Sequence, residues 1–344
     1  MIHRPAADLM ALDIGGANIK AADGFGWASS EPFAMWQEWR RLADALATRL
    51  ASRPRRVVAT MTGEIADCFP SRSAGVRHIV ASLEAAASRV ACHDVGIYRT
   101  DGRIVGPSEA ISIPALVAAS NWHAVARMAA SLAPTDRTFL IDIGSTTVDI
   151  IPIHDGRPAP RATDDAGRMA SGELVYTGME RTPLAAIVRS LPHRGARRPV
   201  ASEHFAQSRD AWLVLGGVDE DPFATDTADG GPATREAARV RLARMMLLDP
   251  ESFSNEDALM AAEWVASAQS RLVARALAKV AGSAGWRPTG LVISGHGAAL
   301  VRQSLALLGW EVDSVDMGVR LGPAVSRSAP AHAVAMIARG TIDS

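Results

Sequence analysis

Apolar and polar positions fall into strand-length and helix-length blocks along this 344-residue chain, and two blocks share one design. Phe139-Leu140-Ile141-Asp142-Ile143-Gly144-Ser145-Thr146-Thr147-Val148-Asp149-Ile150-Ile151 reads as a β-branched apolar strand, a tight polar turn and a second strand. Leu9-Met10-Ala11-Leu12-Asp13-Ile14-Gly15-Gly16-Ala17-Asn18-Ile19-Lys20 repeats it near the N-terminus. Around these, residues 36–50 carry Leu42, Ala45, Leu46 and Leu50 at helical spacing, and Pro54 ends the segment. Val57 to Met61 reads as a buried strand, with Thr62-Gly63-Glu64 turning at its carboxyl end. Residues 73–90 predict a helix, 95–98 a strand closed by an Asp101-Gly102 hairpin turn, and 113–132 a helical stretch holding Asn121-Trp122-His123.

In the second half, Asp155-Gly156 predicts the next turn, and the polar run 171–183 a loop leading into a short helix. The apolar run 211–217 fits either a strand end or a helix turn. Residues 219–231 are acidic and irregular and predict a surface loop or lid, with Thr234 capping a helix over 235–248. Their spacing does not match a calcium loop. A long amphipathic helix is predicted over 255–282, a strand, glycine turn and helix start over 291–300, and a last helix over Ala329–Ala338.

The repeated block carries chemistry. Asp142 ends its strand, Gly144 leaves no side chain between backbone and ligand, and Ser145, Thr146 and Thr147 present hydroxyls. Such a turn is a nest for phosphate oxygens. Asp142 can hold a hydrated Mg²⁺, which commonly takes one or two carboxylates plus phosphate oxygens. In the first copy Asp13 stands at the same place, followed by Gly15, Gly16, Asn18 and Lys20. A single copy is explained by an ordinary hairpin. Two copies suggest an internal duplication whose halves face each other across a cleft.

Lys20 reads as a point charge for phosphate or as a solvent-facing strand residue. Asp149 reads as a cleft carboxylate or as a structural one bonding turn amides. Glu64 and Asp67 lie beyond the carboxyl end of a strand, where open α/β sheets bind ligands, although Glu64 also suits a cap or an ion pair. Gly295 and Gly297 would admit a nucleotide or another anion at a helix N-terminus. His296 between them is a ligand contact or an exposed loop histidine.

Composition narrows the partners. A formal charge of -1 with 48% hydrophobic residues describes a globular chain without an electrostatic case for nucleic acid or membrane surfaces. The basic run His193-Arg194-Gly195-Ala196-Arg197-Arg198 reads as a solvated loop, with an anion contact as the alternative. Two cysteines, Cys68 and Cys92, make no disulfide framework and suit a reducing compartment. With no signal-peptide core and no apolar run of bilayer length, the expected location is cytoplasmic. No Walker A loop, dinucleotide fingerprint or G-x-S-x-G elbow is present. Cys68, Cys92, His93 and Asp94 fall short of a four-ligand metal set.

The two hairpins resemble the phosphate loops of the actin-like ATPase superfamily, which includes sugar and acetate kinases, actin and heat-shock chaperones. That resemblance implies an α/β fold of two ribonuclease-H-like domains with a cleft between them. The first would span 1–135, with the C-terminal helix 329–344 packing back on it, and the second 136–328. A narrower resemblance covers nearly the whole chain. Asp13-Ile14-Gly15-Gly16-Ala17-Asn18-Ile19-Lys20, Met61-Thr62-Gly63-Glu64, Asp67-Cys68-Phe69, Asp142 to Asp149, Tyr176-Thr177-Gly178 and Thr227-Ala228-Asp229-Gly230 carry it. Together they resemble the hydantoinase/oxoprolinase-related proteins of tetrahydromethanopterin-linked C1 transfer in methylotrophs. Archaeal relatives of that group include a methanofuran-forming enzyme that joins a furfuryl diphosphate to the phenol of a tyramine derivative.

The resemblance implies a transferase acting on a small diphosphate and a phenolic amine, with Mg²⁺ at Asp13 and Asp142 and Glu64 as the base. Asp13, Asp142 and Glu64 would then be catalytic, and Gly15, Gly16, Asn18, Lys20, Gly144, Ser145, Thr146, Thr147, Gly295 and Gly297 would bind phosphate. The Ser294-Gly295-His296-Gly297 turn departs from a sugar kinase's adenosine motif, which argues against ATP. An ATP-dependent kinase or a hydantoinase/oxoprolinase-type hydrolase of the same fold is the alternative, and a non-enzymatic nucleotide-binding regulator a third.

Overall fold

The structure, a computed structural model, describes residues 8–342, which build two mixed β-sheets with helices around and between them. The first sheet holds β1 (Leu9–Ile14), β2 (Asn18–Ala22), β3 (Ala28–Pro32), β4 (Arg56–Met61), β5 (Asp94–Tyr98) and β6 (Ile104–Val105), in the order β3-β2-β1-β4-β5-β6. The second begins with β7 (Arg137–Ile143), β8 (Val148–His154), β9 (Arg157–Pro158) and β10 (Leu174–Val175). A separate hairpin, β11 (Ser190–His193) and β12 (Ala196–Pro199), precedes its last members, β13 (Gly290–Gly295) and β14 (Asp313–Asp316). The second sheet runs β10-β8-β7-β13-β14, with β9 on β8.

One plan serves both sheets. A central strand pairs antiparallel with its hairpin partner on one side and parallel with a later strand on the other, β1 with β2 and β4, β7 with β8 and β13. This is ribonuclease-H-like topology, used twice. The central strands read as continuous apolar runs because both faces are covered, and all six residues of β1 are buried.

Two helices fill the space between the sheets by trading places. Asn121–Leu132, which follows the first sheet in sequence, lies on β7, β8 and β9, whereas Ala329–Ala338 returns from the C-terminus onto β1, β2 and β4. The core they share takes Leu9, Ala11 and Val58 from one sheet, Leu140, Ile151 and Val292 from the other, and Trp122, Val125 and Met128 from the first helix. Burying each of its Leu and Val side chains stabilises the fold by ~1.5–3 kcal/mol. Ala329, Ala331, Ala333 and Ala335 on the returning helix are buried and short, so it lies close to its sheet.

Several elements depart from the sequence expectations. Residues 36–50 form Met35–Glu38, a 3₁₀ turn Trp39–Arg41, and Leu42–Arg49 rather than one helix. The stretch 113–132 breaks between Pro114–Val117 and Asn121–Leu132. Ala118 is extended there and Ala119 takes φ +48°. The Ser120 hydroxyl anchors the break, donating to the Tyr98 carbonyl at 3.1 Å and sharing a 2.8 Å hydrogen bond with Thr60 Oγ1. Of the two readings of 211–217, the structure takes the helix, Ser208–Val214. The basic run at 193–198 is the β11–β12 hairpin instead of a loop; Arg197 stacks 4.1 Å over Trp264 and Arg194 donates to the Ser252 carbonyl at 3.0 Å.

Other expectations match closely. Thr234 caps Arg235–Met245, and the helices expected over 73–90 and 255–282 form as Arg72–Arg89 and Asn255–Ala284. The structure adds a Ser71 cap to the first of these and a Ser254–Asp257 capping box to the second. Cys68 and Cys92 are free thiols. Among the described residues, no helix is long and apolar enough to cross a membrane.

Candidate active site

The two hairpins superimpose in register. Asp13 lies opposite Lys20 and Ile14 opposite Ile19 in one, Asp142 opposite Asp149 and Ile143 opposite Val148 in the other. Each four-residue turn closes the same way: the Gly15 amide donates to the Asn18 carbonyl at 3.0 Å, and the Gly144 amide to the Thr147 carbonyl at 3.0 Å. Residues 15–18 and 144–147 are all half-buried, neither packed away nor free in solvent.

Other segments bond the turns from behind. The Met35 and Phe33 amides donate to the carbonyls of Gly16 and Ala17, both at 2.9 Å. On the second turn the Met179 amide donates to Gly144 at 3.1 Å, and the amides of Glu180 and Arg181 to Ser145 at 3.0 and 2.9 Å. Gly178 is obligatory in this packing, since a Cβ there would sit 2.4 Å from the Thr146 nitrogen. Buried Gln269 pins the same loop, donating to Thr177 Oγ1 at 2.9 Å and to the Gly178 carbonyl at 2.7 Å. With turn carbonyls engaged behind, the hydroxyls and remaining amides are available to an anion.

The carboxylates sit in a low-dielectric seam. Asp13 is 2% exposed, and its Oδ2 lies 3.3 Å from Lys20 Nζ while its Oδ1 has no partner. Burial pushes the Asp13 pKa up and Lys20 pulls it down. Asp142 rises to about 6, chiefly by burial, then by the charge of Asp149; Lys20 and the Ser294 hydroxyl oppose the rise, and Asp13 adds to it. Lys20, from the first sheet, thus acts on Asp142 and Asp149 of the second. Asp149 is the structural carboxylate of the set, but its partner is the buried Arg168 rather than turn amides. Arg168 itself stacks 4.2 Å over Trp122.

One buried and one half-buried hard-oxygen donor, Asp13 with a free oxygen and Asp142, fit Mg²⁺. Among the described residues no group of three or more His, Cys, Asp or Glu is placed to hold a metal. The donor set is therefore the sparse one that Mg²⁺ completes with phosphate and water.

Glu64 occupies the 3₁₀ turn Gly63–Ile65 beyond β4, the strand that lies beside β1. It is 1% exposed, and neither carboxylate oxygen has a hydrogen-bond partner, so it is neither cap nor ion pair. Burial raises its pKa to about 7, against the pull of its own amide, of Arg72 and of the Ala119 amide; Asp165 contributes to the rise. Gly75 lets the helix Arg72–Arg89 press on this turn, because a Cβ there would lie 2.2 Å from the Glu64 carbonyl oxygen. Asp67 is exposed on the outer side of the turn.

Gly295 and Gly297 meet a packing demand. Gly295 has φ +83°, and a Cβ on it would lie 2.0 Å from the Ile143 oxygen; one on Gly297 would strike the Ile143 side chain. His296 is half-buried and pairs with Glu180 at 3.2 Å. Glu180 also accepts from Arg209 and Arg327, both at 2.9 Å. Burial works against its ionisation, yet these three partners, the His296 hydrogen bond foremost, hold its carboxyl far below the usual range. Arg209 reaches on to Asp226, fastening the acidic loop, and Asp229 of that loop pairs with Arg241.

Sequence reasoning missed Glu180, Arg209, Arg72, Asp165 and Gln269. Two contacts reach across from segments of the first sheet to segments of the second. Arg72 donates to Asp165 at 2.7 Å, and Arg181 stacks 4.9 Å over the Trp36 ring.

Duplicated ribonuclease-H-like units, each with a glycine hairpin behind a strand-end aspartate, make up the fold of the actin-like ATPase superfamily. The chain matches the hydantoinase/oxoprolinase family over residues 55–340, and it belongs to that family. It is 29% identical over 338 residues to (4-{4-[2-(gamma-L-glutamylamino)ethyl]phenoxymethyl}furan-2-yl)methanamine synthase of Methanocaldococcus jannaschii, covering 97% of this chain and 98% of that one. The same-named protein of Methanococcus vannielii is 30% identical over 206 residues, 59% of this chain and 91% of its own. Among solved structures, a nucleotide-free acetone carboxylase resembles it at a TM-score of 0.48 and 14% identity, over 92% of this chain and 51% of that chain. The fold assignment stands on strand order and register, not on that likeness.

Proposed function

We propose that the protein is a transferase of C1-carrier cofactor (methylofuran or methanofuran) biosynthesis. It joins a furfuryl diphosphate to the phenol of a tyramine-type amine and releases diphosphate. The observation that carries this reading is the pair of matched hairpins around buried Asp13 and half-buried Asp142, with the unpartnered Glu64 on the turn beside them. The relatives' name supports it, since it describes a furan joined through a methylene to a phenoxy ring.

In this reading the Gly16 amide, the Asn18 side chain and the hydroxyls of Ser145, Thr146 and Thr147 hold the diphosphate, while Gly15 and Gly144, whose amides close the turns, let it approach the backbone. Lys20 supplies a point charge from the first sheet. Gly295 and Gly297 serve the phosphate site by bringing the N-terminus of the helix Ala298–Leu308 onto Ile143. Asp13 and Asp142 would hold Mg²⁺, which when bound neutralises charge on the departing diphosphate.

The bond between the furfuryl carbon and the diphosphate oxygen breaks, its electron pair leaving with the diphosphate. The furan ring tolerates positive charge at that carbon, so departure runs ahead of attack. The phenol oxygen then bonds to the carbon, and its proton passes to Glu64. A carboxylate with a pKa of about 7 is well matched to that transfer near neutral pH.

The test is pyrophosphate release from furfuryl diphosphate with tyramine and Mg²⁺, in the absence of ATP. Release that needs the phenol is the expected result. Release that ignores the phenol, or turnover that demands ATP, overturns the proposal. The family match favours a second reading, an ATP-dependent hydrolase of the hydantoinase/oxoprolinase type, and ATP turnover stimulated by a small cyclic amide would select it.

A further inference from the structure

The contact between Arg72 and Asp165 is built unlike the molecule's structural ion pairs. Arg168 and Arg241 are 1% and 0% exposed and grip their aspartates in the interior. Arg72 and Asp165 have side chains 36% and 20% exposed, and one bond, Nη2 to Oδ2 at 2.7 Å, joins them. They belong to different halves of the site, Arg72 to the helix behind Glu64 and Asp165 to the short helix whose Arg168 holds Asp149. Among the described residues, neither side chain makes another hydrogen bond, so a guanidinium edge and a carboxylate oxygen remain for a visitor.

Beside them stands Tyr176, 54% exposed, on the loop that Gln269 pins. Burial raises its phenol pKa, and the charges of Asp165, Arg72, Asp149 and Glu64 act on it as well. Glu64, with two unbonded oxygens, is buried on the turn against which the helix of Arg72 presses. An aromatic face, a buried base, and a cation and anion held side by side make a complementary set. They match an acceptor with a phenol at one end and a paired ammonium and carboxylate at the other.

We propose that Arg72 and Asp165 are the specificity-determining residues of the acceptor site, reading an amino-acid head group on the far end of the phenolic substrate. The carboxylate of the head bonds to Arg72 and its ammonium to Asp165, each protein charge exchanging one partner for another. Neither protein charge is stranded by the exchange, so the desolvation cost falls on the substrate's own ammonium and carboxylate. This assignment rests on the transferase reading above and adds to it the residues that separate a zwitterionic acceptor from a simple amine.

The experiment compares γ-glutamyltyramine with tyramine as acceptor in the wild type, Arg72→Leu and Asp165→Asn, scored as the ratio of kcat/KM values within each protein. Taking the ratio cancels any change that either substitution makes to Glu64. The wild type should favour γ-glutamyltyramine by about 30-fold or more, because sites built to bond charged groups reject analogues lacking them. In both variants the ratio should fall to within about threefold. A wild type indifferent between the two acceptors, or variants that keep its preference, would overturn the assignment. If neither acceptor releases pyrophosphate, the transferase reading fails and calorimetry decides the subsite by itself. Tighter binding of γ-glutamyltyramine than of tyramine that disappears in Arg72→Leu and Asp165→Asn upholds it, and equal binding throughout sinks it.

Discussion

The two hairpins share length, register and turn closure, and they differ most at one position. Lys20 faces Asp13 in the first, and Asp149 faces Asp142 in the second. In the first hairpin the strand-end carboxylate meets an opposite charge at 3.3 Å. In the second it meets a like charge, already engaged by Arg168, and burial first and that charge second lift its pKa to about 6. One scaffold has thus been made into a neutralised half and a half with negative charge to spare. The spare charge sits beside three hydroxyls, which is where a cation-bridged phosphate has most to contribute. Duplication supplied the symmetry, and a single register position broke it.

The largest test of that comparison is removal of each carboxylate in turn. Asp142→Asn and Asp13→Asn should each lower pyrophosphate release by about 10²–10³, the usual cost of losing one preorganised electrostatic contact. Both should still melt cooperatively, and full turnover in either would break the assigned pairing. Glu64→Gln should cost about 10²-fold or more in kcat/KM, as loss of a general base does. In the wild type kcat/KM should rise with pH through about 7, since the base must be ionised, and a flat profile there would count against Glu64.

Stability follows the opposite course at this residue. The Glu64 pKa is raised on folding from 4.5 to about 7, so the native state binds the extra proton. Its favourable contribution is complete below the unfolded value and is lost as pH climbs through about 7, on the order of 3 kcal/mol for a shift of this size. Glu64→Gln should therefore be more stable than the wild type at pH 8 while less active, measurable by urea unfolding at pH 5 and pH 8. A site that gains stability by losing its base is one shaped for function.

Smaller effects sharpen the contrast between the turns. Gly178→Ala should cost ~1–3 kcal/mol through the clash with Thr146, whereas Gly16→Ala, with open space around it, should cost far less. Thermal melts of the two variants compare the backing of the two turns directly. Smallest is Trp36→Ala, which removes the stacked Arg181 and should cost ~0.5–1 kcal/mol, read by double-mutant cycle with Arg181→Ala.

Local signals carried much of the fold. The Asp-Ile-Gly hairpins, the strand Arg56–Met61 and the helix Ala329–Ala338 all announce themselves within ten residues. The break at Ala119 does not, because its cause is a hydroxyl bonding a carbonyl 22 residues away. Within the candidate site, Asp13, Asp142 and Glu64 were visible as strand-end carboxylates. Glu180 was not, since its importance lies in partners at positions 209, 296 and 327 that only the folded chain assembles. Arg72 and Asp165 lie 93 residues apart, and neither sits in a motif. The one available cue to the second turn's backing was Gly178 in a polar loop, a glycine with no turn signal to explain it.

The helix Ala329–Ala338 packs on the sheet that is made first, yet it follows every described strand in the sequence. As the polypeptide leaves the ribosome, the face of β1 and β4 that this helix will cover therefore has no such partner until both sheets have been synthesised. A chain interrupted just before Ala329 would keep all its described strands and an uncovered oily surface, a substrate for chaperones and proteases rather than a weakened enzyme.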